Sequence, residues 1–328
     1  MALDGVLMVL ALCAYAIGAV VLLAFFFTRE EWLRNLGATL AVAGCVAQFA
    51  QLGARYDETH IWPLLNLYGS LSLFAAMSVA IFIGFAFRYR LWFAGGLLLA
   101  LAAIFLAYGT TWNEGVMPAV PSLQSYWAKV HVPLVVSSYG AFAVSLIFSI
   151  VYLVKYYGER RYATRRVTLR AVASTAGAPS VTSFATLEVS AAAATDAAPT
   201  TLRDTPALAT AAAAGDAVAG WFATLPSLAQ IDIVVYRAIS IGLPLLTLGV
   251  ITGAAWAHEA WGAYWQWDPK ETAALASWIL YAAYMHLHTR ASWRGMRCSW
   301  WSVVAFASIV FCYLGVNIWI SGLHSYKM

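Results

Sequence analysis

Residues 256–278 contain side chains that are suited to holding a large, flat, apolar ligand. Six side chains in this segment are large aromatic rings: Trp256, Trp261, Tyr264, Trp265, Trp267 and Trp278. A single Trp or Tyr at such a position usually anchors a helix at the membrane surface. Six of them around Gly262 predict instead an aromatic shelf, because indole rings can stack against a ligand.

Histidine is the second residue type with chemistry to offer. The chain contains six histidines: His60, His131, His258, His286, His288 and His324. Haem iron binds axial imidazoles, and the porphyrin around it is a flat apolar disc. Paired histidines beside an aromatic shelf therefore indicate a haem-like ligand, whereas a bare metal ion has no need of a shelf. The four cysteines form no CxxC pair, so neither a zinc site nor a thiol-redox motif is predicted.

The elements that must position these residues are membrane-spanning helices. Of the 328 residues, 62% are hydrophobic and only 10% are charged, whereas a soluble domain has roughly 25% charged residues. A helix needs about 20 mostly apolar residues to cross a bilayer. We therefore predict an all-α polytopic membrane protein with about eight spans: 4–27, 36–53, 67–87, 91–107, 132–156, 235–257, 270–290 and 302–321.

The basic residues predict how these spans are oriented. One set of loops contains or adjoins few of the 19 Lys and Arg residues, namely Arg55, Lys129, Lys270 and Lys327. The loops that contain or adjoin the other 15 basic residues are predicted to be cytoplasmic by the positive-inside bias. This bias accounts for the net charge of +4, so no nucleic-acid partner is needed to explain it. Both termini are then extracytoplasmic. The aromatic shelf, His131 and His324 are predicted to share the outer face.

His286 is predicted to lie deep in the seventh span. It follows Lys270 by 16 residues, or about 24 Å along a helix, which places it toward the cytoplasmic end. An ionisable residue within a span is a functional candidate. At the start of the same span, Asp268, Pro269 and Glu271 are close to a capping box, with Asp268 as the N-cap residue.

The spans fall into two halves around a long cytoplasmic segment. We predict an N-terminal membrane half at 1–157, a cytoplasmic loop at 158–230, and a C-terminal membrane half at 231–328 that carries the tryptophan-rich loop 256–271. Residues 171–220 are rich in Ala, Thr, Ser and Pro, which predicts a disordered linker, with a weak surface helix as the alternative. The N-terminus has no basic region, so we interpret it as a retained first span rather than a signal peptide.

The run WGAYWQWDPKET at 261–272 resembles the WWD signature of haem-handling proteins in cytochrome c assembly. Among these proteins the chain is most similar to the CcsA family, also called ResC. Further family segments resemble NLYGSLSLF (66–74), PSLQSYWAKVHVPLVVSSYGAF (121–142), YRAISIGLPLLTLGVITGAAWAHEAWG (236–262) and GVNIWISGLHSY (315–326). Gly69 departs from the family, which commonly has Glu there, and His60 matches no family ligand.

The resemblance implies roles for individual residues. His131 and His324 match the two external histidines that ligate haem iron above the WWD platform. His286 matches the membrane-embedded histidine of a separate haem site, for which His288 is a rival. His258 stands where the family often has Asn, so it is a spare ligand or a substitution without consequence. The matching platform residues are Trp261, Tyr264, Trp265, Trp267 and Asp268, and Trp265 and Asp268 are expected to help position the substrate.

The resemblance also implies an activity. The chain is expected to be a component of a System II holocytochrome c synthase, or haem lyase, which binds haem b transiently as its substrate. Thiols of an apocytochrome CxxCH motif then add to the haem vinyl groups and form thioether bonds. The implied partners are a CcsB (ResB) membrane protein, apocytochrome c, thiol-reducing proteins and membrane lipid. The implied location is the bacterial inner membrane, with the haem site facing the periplasm.

Three other functions remain open at this point. A haem exporter or chaperone of the multi-subunit assembly pathway shares the WWD signature. An electron-transfer cytochrome b would carry paired intramembrane histidines on facing helices, whereas only His286 and His288 lie near a span interior. A solute transporter without haem would show polar or broken spans near the midplane, and spans six and seven look ordinary.

Overall fold

Helices make up most of the described chain, which comprises residues 2–64, 66–113, 121–175, 220–320 and 322 of this computed structural model. They are α1 (Leu3–Thr28), α2 (Glu31–Thr59), α3 (Leu67–Tyr89), α4 (Gly95–Thr110), α5 (Tyr126–Thr175), α6 (Leu228–Trp261), α7 (Pro269–His288), α8 (Met296–Val310) and α9 (Val316–Trp319). Short 3-10 turns occur at Trp92–Ala94 and Pro121–Gln124, and a π-helical turn at Phe311–Gly315. These residues contain no strand, so the predicted all-α fold is confirmed.

Seven helical segments of the described chain are long and apolar enough to cross a membrane. They are α1, α2, α3, Trp92–Thr110, Tyr126–Arg161, α6 and Met296–Trp319, which makes this a multi-pass membrane protein. The eighth predicted span, 270–290, forms α7. At 20 residues α7 is long enough to span, but it is not among the seven because its histidines, tyrosines and Ser277 lower its mean hydropathy.

Buried polar side chains hold the later helices together. Ser145 Oγ of α5 lies 3.3 Å from Ser302 Oγ of α8, and the hydroxyl of Ser308 on α8 donates to Ser277 Oγ on α7 at 2.9 Å. In an apolar medium, small residues and hydrogen bonds between helices replace the hydrophobic effect as the source of association. The more polar α7 is therefore accommodated by partners on a neighbouring helix.

The chain divides into two compact units. One comprises Met1–Val151 together with Ile231–Met328, and the other comprises Tyr152–Gln230. In the second unit, the buried Lys155 ammonium donates to the carbonyl oxygens of Phe222 at 2.9 Å and Leu225 at 3.1 Å. Of the predicted linker at 171–220, residues 171–175 belong to α5, and residues 176–219 lie outside the described residues.

The Arg55 guanidinium ties together several elements at the end of α2. It donates to Asp4 Oδ2 of α1 at 3.1 Å and to Asn113 Oδ1, after α4, at 3.2 Å. It also stands 4.4 Å from the ring centroid of Tyr68 on α3. Arg55 is only 6% exposed, so each of these partners compensates for a charge that is largely removed from solvent.

Replacing Arg55 is expected to test how far this fold depends on that network. Arg55→Ala leaves the Asp4 carboxylate without its buried partner, which should lower the free energy of unfolding by about 3–5 kcal/mol. The matched control is Arg34→Ala on the same helix, where the ion pair with Glu31 is exposed and should contribute less than about 1 kcal/mol. Thermal unfolding in detergent, followed by circular dichroism, measures both. Equal losses in the two variants would contradict the expectation.

Candidate functional site

His131 is oriented by a hydrogen bond between α5 and α6. Its Nδ1 lies 2.7 Å from the carbonyl oxygen of Gly249. Because a carbonyl oxygen can only accept, Nδ1 carries the proton, and Nε2 of the neutral ring carries the lone pair. Metal-ligating histidines are typically held in this way, with the second ring nitrogen donating to a carbonyl or carboxylate. The imidazole is therefore prepared to act as a donor ligand through Nε2.

Gly253 allows the His131 ring to approach α6 this closely. A Cβ atom at position 253 would lie 2.7 Å from both Nδ1 and Cε1 of His131. Such a distance is well inside the contact distance of carbon atoms. Gly249 and Gly253 are four residues apart, so they lie on one face of α6. Together they form the surface on which the imidazole rests.

Trp256 extends this contact toward the tryptophan-rich loop. Its ring centroid lies 5.7 Å from that of His131 and 5.2 Å from that of Trp261. Its indole Nε1 donates to the carbonyl oxygen of Ser122 at 2.7 Å, which satisfies a side chain that is only 4% exposed. His131, Trp256 and Trp261 thus form a continuous row of rings, which we call the His131 row.

The loop after α6 presents further rings on the surface. Gly262, with φ of 81°, ends the helix. The rings of Tyr264 and His258 stack with their centroids 4.3 Å apart, and those of Trp265 and Trp267 meet at right angles, 5.7 Å apart. Tyr264 is 61% exposed and Trp267 is 69% exposed. These rings are therefore not part of the packed core, and their faces are open to contact.

Asp268 fixes the end of this loop to the start of α7. Its Oδ2 accepts from the backbone N–H of Lys270 at 3.0 Å, while Glu271 Oε2 accepts from the backbone N–H of Asp268 at 3.2 Å. With Pro269 in the first turn, the predicted capping box is confirmed. Glu271 Oε2 also accepts from the N–H of Gln266 at 2.8 Å. The loop is therefore closed by backbone N–H groups that donate to the Asp268 and Glu271 carboxylates.

The C-terminal segment passes close to Asp268. A Cβ atom at Gly322 would lie 2.6 Å from Asp268 Oδ1, so only glycine allows this approach. His324, the second predicted external ligand, lies outside the described residues. It follows Gly322 by two residues, and two residues of chain span at most about 7 Å.

His286 and His288 have different surroundings at the far end of α7. His288 Nε2 lies 2.9 Å from Asp232 Oδ2 of α6, and its ring stacks on that of Tyr236 at 4.6 Å. Asp232 Oδ1 also accepts from the N–H of Gly295 at 3.2 Å. The Asp232 carboxylate therefore joins α6, α7 and the start of α8. His286 is exposed, and no hydrogen bond to its ring comes from the described part of the chain.

The structure brings together only some of the predicted site residues. His131 and Trp261 meet through Trp256, which was not assigned a role as a ligand contact. Trp278 stands apart, since its Nε1 donates to Thr247 Oγ1 at 2.9 Å between α6 and α7. The sequence patterns did not predict the residues that orient the histidines, which are Gly249, Gly253 and Asp232. The available signal was the spacing of glycines along α6, which places them on one helix face.

The described residues bring few metal-ligating side chains close together. Within the described ranges, no group of three or more His, Cys, Asp or Glu side chains could hold a metal ion. The His131 row instead places one imidazole beside a buried indole and a partly buried one, and the exposed rings of Tyr264 and Trp267 lie in the loop that follows. This combination matches a flat apolar ring with a central metal that takes imidazole as an axial ligand.

Comparison with known proteins identifies a family and a fold. The profile of the family described as Cytochrome C assembly protein matches residues 64–324. The chain is 36% identical over 307 residues to cytochrome c biogenesis protein CcsA of Synechococcus elongatus, with 92% of this chain and 90% of that protein covered. It is 33% identical over 309 residues to CcsA of Gloeobacter violaceus, covering 93% and 90%. For CcsA of Heterosigma akashiwo the identity is 31% over 323 residues, covering 97% and 91%.

A solved structure shares the fold. The chain is similar to the structure titled Cytochrome c Heme Lyase CcmF, with a TM-score of 0.58 and 17% sequence identity. The likeness covers 95% of this chain and 46% of that one, so this chain spans about half the length of that protein. At this identity the likeness concerns the helical architecture.

The close approach at Gly253 can be tested by comparing the effect of an alanine substitution at two glycines. Gly253→Ala should displace the His131 ring and lower the free energy of unfolding by about 1–3 kcal/mol, because the site has no room for a methyl group. Gly84→Ala in α3 is the matched control, since a Cβ there meets nothing within 4 Å. The control should leave stability unchanged or raise it by up to about 1 kcal/mol. Thermal unfolding in detergent compares the two, and equal shifts would contradict the close packing at His131.

Proposed function

The chain belongs to the cytochrome c assembly protein family, and from that premise we propose that it is the CcsA-type subunit of a holocytochrome c synthase. In this role it binds haem as a substrate at an external site and presents it to apocytochrome c. The observation that carries the proposal is the orientation of His131, whose Nδ1 is bound to Gly249 O at 2.7 Å beside Trp256. The proposed location is a bacterial inner membrane, with this site facing the periplasm.

The tryptophan-rich loop supplies the surface for the porphyrin. The rings of Tyr264 and Trp267 are more than half exposed and can cover an apolar disc without first leaving a core. His131 Nε2 supplies one axial ligand, and we propose His324 as the other, because the chain leading to it passes Asp268 at Gly322. Two imidazoles on the iron would hold the ring in one orientation above the loop.

The proposed reaction requires orientation more than chemical assistance. Each thioether forms when a thiol sulfur bonds to one vinyl carbon and the thiol hydrogen is transferred to the other. The addition consumes neither an oxidant nor a reductant. Haem and the CxxCH thiols thus provide the reacting atoms, and the protein contributes by holding them in a productive geometry. Asp268 holds the loop through its capping box, and Trp265 packs edge-on to Trp267, so we assign both to positioning.

The external site can be tested by the spectrum of bound haem. The chain is purified with its CcsB partner, and haem is quantified by the pyridine haemochrome assay. We expect b-type haem in the wild type, and in His131→Ala and in His324→Ala we expect the haem of the external site to be lost or its iron to become five-coordinate. His60→Ala is the matched control, because this exposed histidine lies outside the proposed site. Haem that is indifferent to both ligand variants would argue against an external site.

A second haem site is proposed at His286, toward the other end of α7. His286 is exposed on the helix surface, whereas His288 Nε2 is engaged by Asp232 at 2.9 Å. An ionisable side chain that faces lipid is unfavourable unless something covers it. We therefore assign the intramembrane ligand to His286 rather than His288, and expect the opposite axial ligand to come from the CcsB partner.

Single substitutions on α7 should separate these two histidines. In a background with both His131→Ala and His324→Ala, which removes the two proposed external ligands, His286→Ala should abolish the remaining haem. His288→Asn should retain that haem, because its expected effect is to weaken the contact with Asp232. Haem per chain in the purified complex with CcsB is the measurement. Haem loss in the His288 variant alone would reverse the assignment.

A further inference from the structure

Lys270 joins the tryptophan-rich loop to the end of the chain through three separate groups. Its backbone N–H donates to Asp268 Oδ2 at 3.0 Å. Its carbonyl oxygen lies 3.8 Å from Cys312 Sγ, a thiol donor in the last span. Its side-chain ammonium donates to Asn317 Oδ1 at 2.7 Å.

Asn317 is oriented to receive this ammonium. Its Nδ2 donates to the carbonyl oxygen of Tyr313 at 2.7 Å, which turns Oδ1 toward Lys270. Tyr313 is itself fixed, because its hydroxyl donates to Ser70 Oγ of α3 at 2.8 Å. A hydrogen bond between a charged donor and an acceptor that is already oriented is stronger than a neutral one. The position of α9 is therefore fixed both by Tyr313 and by Lys270.

The π-helical turn at Phe311–Gly315 places Asn317 on the side of α7. A π turn contains one more residue than an α turn, so it rotates everything after it, and such turns are frequent at functional sites. After α9 the backbone becomes extended at Ile320, and Gly322 then lies against Asp268. The contact between Lys270 and Asn317 thus lies between the π turn and the segment that leads to His324.

We propose that Lys270 is a positioning residue for the second axial ligand of haem. Its bond to Asn317 holds α9 beside the tryptophan-rich loop, where Gly322 lies against Asp268, and His324 follows Gly322 by two residues. This inference rests on the proposed function and deepens it. Lys270 acts through Asn317 and does not itself bind haem, which distinguishes it from a lysine that pairs with a haem propionate.

The test measures the coordination state of the iron in the complex purified with CcsB. The variants are Lys270→Met, Asn317→Leu and the double variant. Each single variant should raise the ratio of five-coordinate to six-coordinate ferric iron roughly tenfold, as expected for loss of a hydrogen bond to a charged group. The double variant should show no larger change than either single one, because the two side chains act as a unit. Added imidazole should restore six-coordinate iron, and Lys270→Arg should retain most of it.

Controls separate positioning from folding and from direct haem binding. Lys129→Met is the matched control, since Lys129 is an exposed lysine two residues from His131. It should leave coordination unchanged, and haem content and unfolding temperature should stay constant across the series. Unaltered iron coordination in the Lys270 and Asn317 variants would overturn the inference. Haem loss in Lys270→Met with no effect of Asn317→Leu would also overturn it, because that pattern indicates a propionate contact.

His324→Ala distinguishes failure of this inference from failure of the proposed function. If that variant changes the iron coordination and the Lys270 variants do not, only the positioning role is wrong. If His324→Ala itself leaves the coordination unchanged, the external ligand pair is wrong, and the inference falls with it.

Discussion

The Asp268 carboxylate is the point at which the tryptophan-rich loop, α7 and the C-terminal segment meet. One oxygen accepts from the N–H of Lys270 and so caps α7, and the other faces Gly322. In or near a bilayer, a helix start with unsatisfied N–H groups is strongly unfavourable, because no water replaces the missing acceptors. The cap is therefore required for α7 to begin where it does. The exposed rings of the loop are held in place because Asp268 and Glu271 accept hydrogen bonds from the loop backbone and from the start of α7.

Helix α7 connects two regions of different chemistry. Its N-terminal end carries the capped loop, and its C-terminal end carries His286 and His288, about 24 Å away by the rise of 1.5 Å per residue. Between them, Tyr281 stacks on Phe142 of α5 with ring centroids 3.6 Å apart, and Ser277 bonds to Ser308. These contacts explain how a helix that is less apolar than its neighbours is retained in the bundle. They also leave α7 with one side committed to the protein and His286 on the other.

The sequence predicted features that depend on neighbouring residues and missed those that depend on how helices face each other. The capping box at Asp268 was predictable because its members lie within four residues. The contact between His131 and Gly249 joins residues 118 positions apart, and that between His288 and Asp232 joins residues 56 apart. Both depend on the rotation of one helix against another, which hydropathy does not encode. For the same reason, hydropathy did not reveal that His288 contacts Asp232.

The π-helical turn at Phe311–Gly315 makes the end of this chain sensitive to changes in length. Removing one residue from the turn would restore a regular α-helix, and about 100° of rotation would then be applied to every later side chain. Asn317 would turn away from Lys270, although composition and hydropathy would hardly change. Relatives that differ by a single-residue gap at this place would thus differ in how the last helix faces α7. Insertions and deletions within these five residues should consequently be rarer than substitutions, even at positions that face lipid.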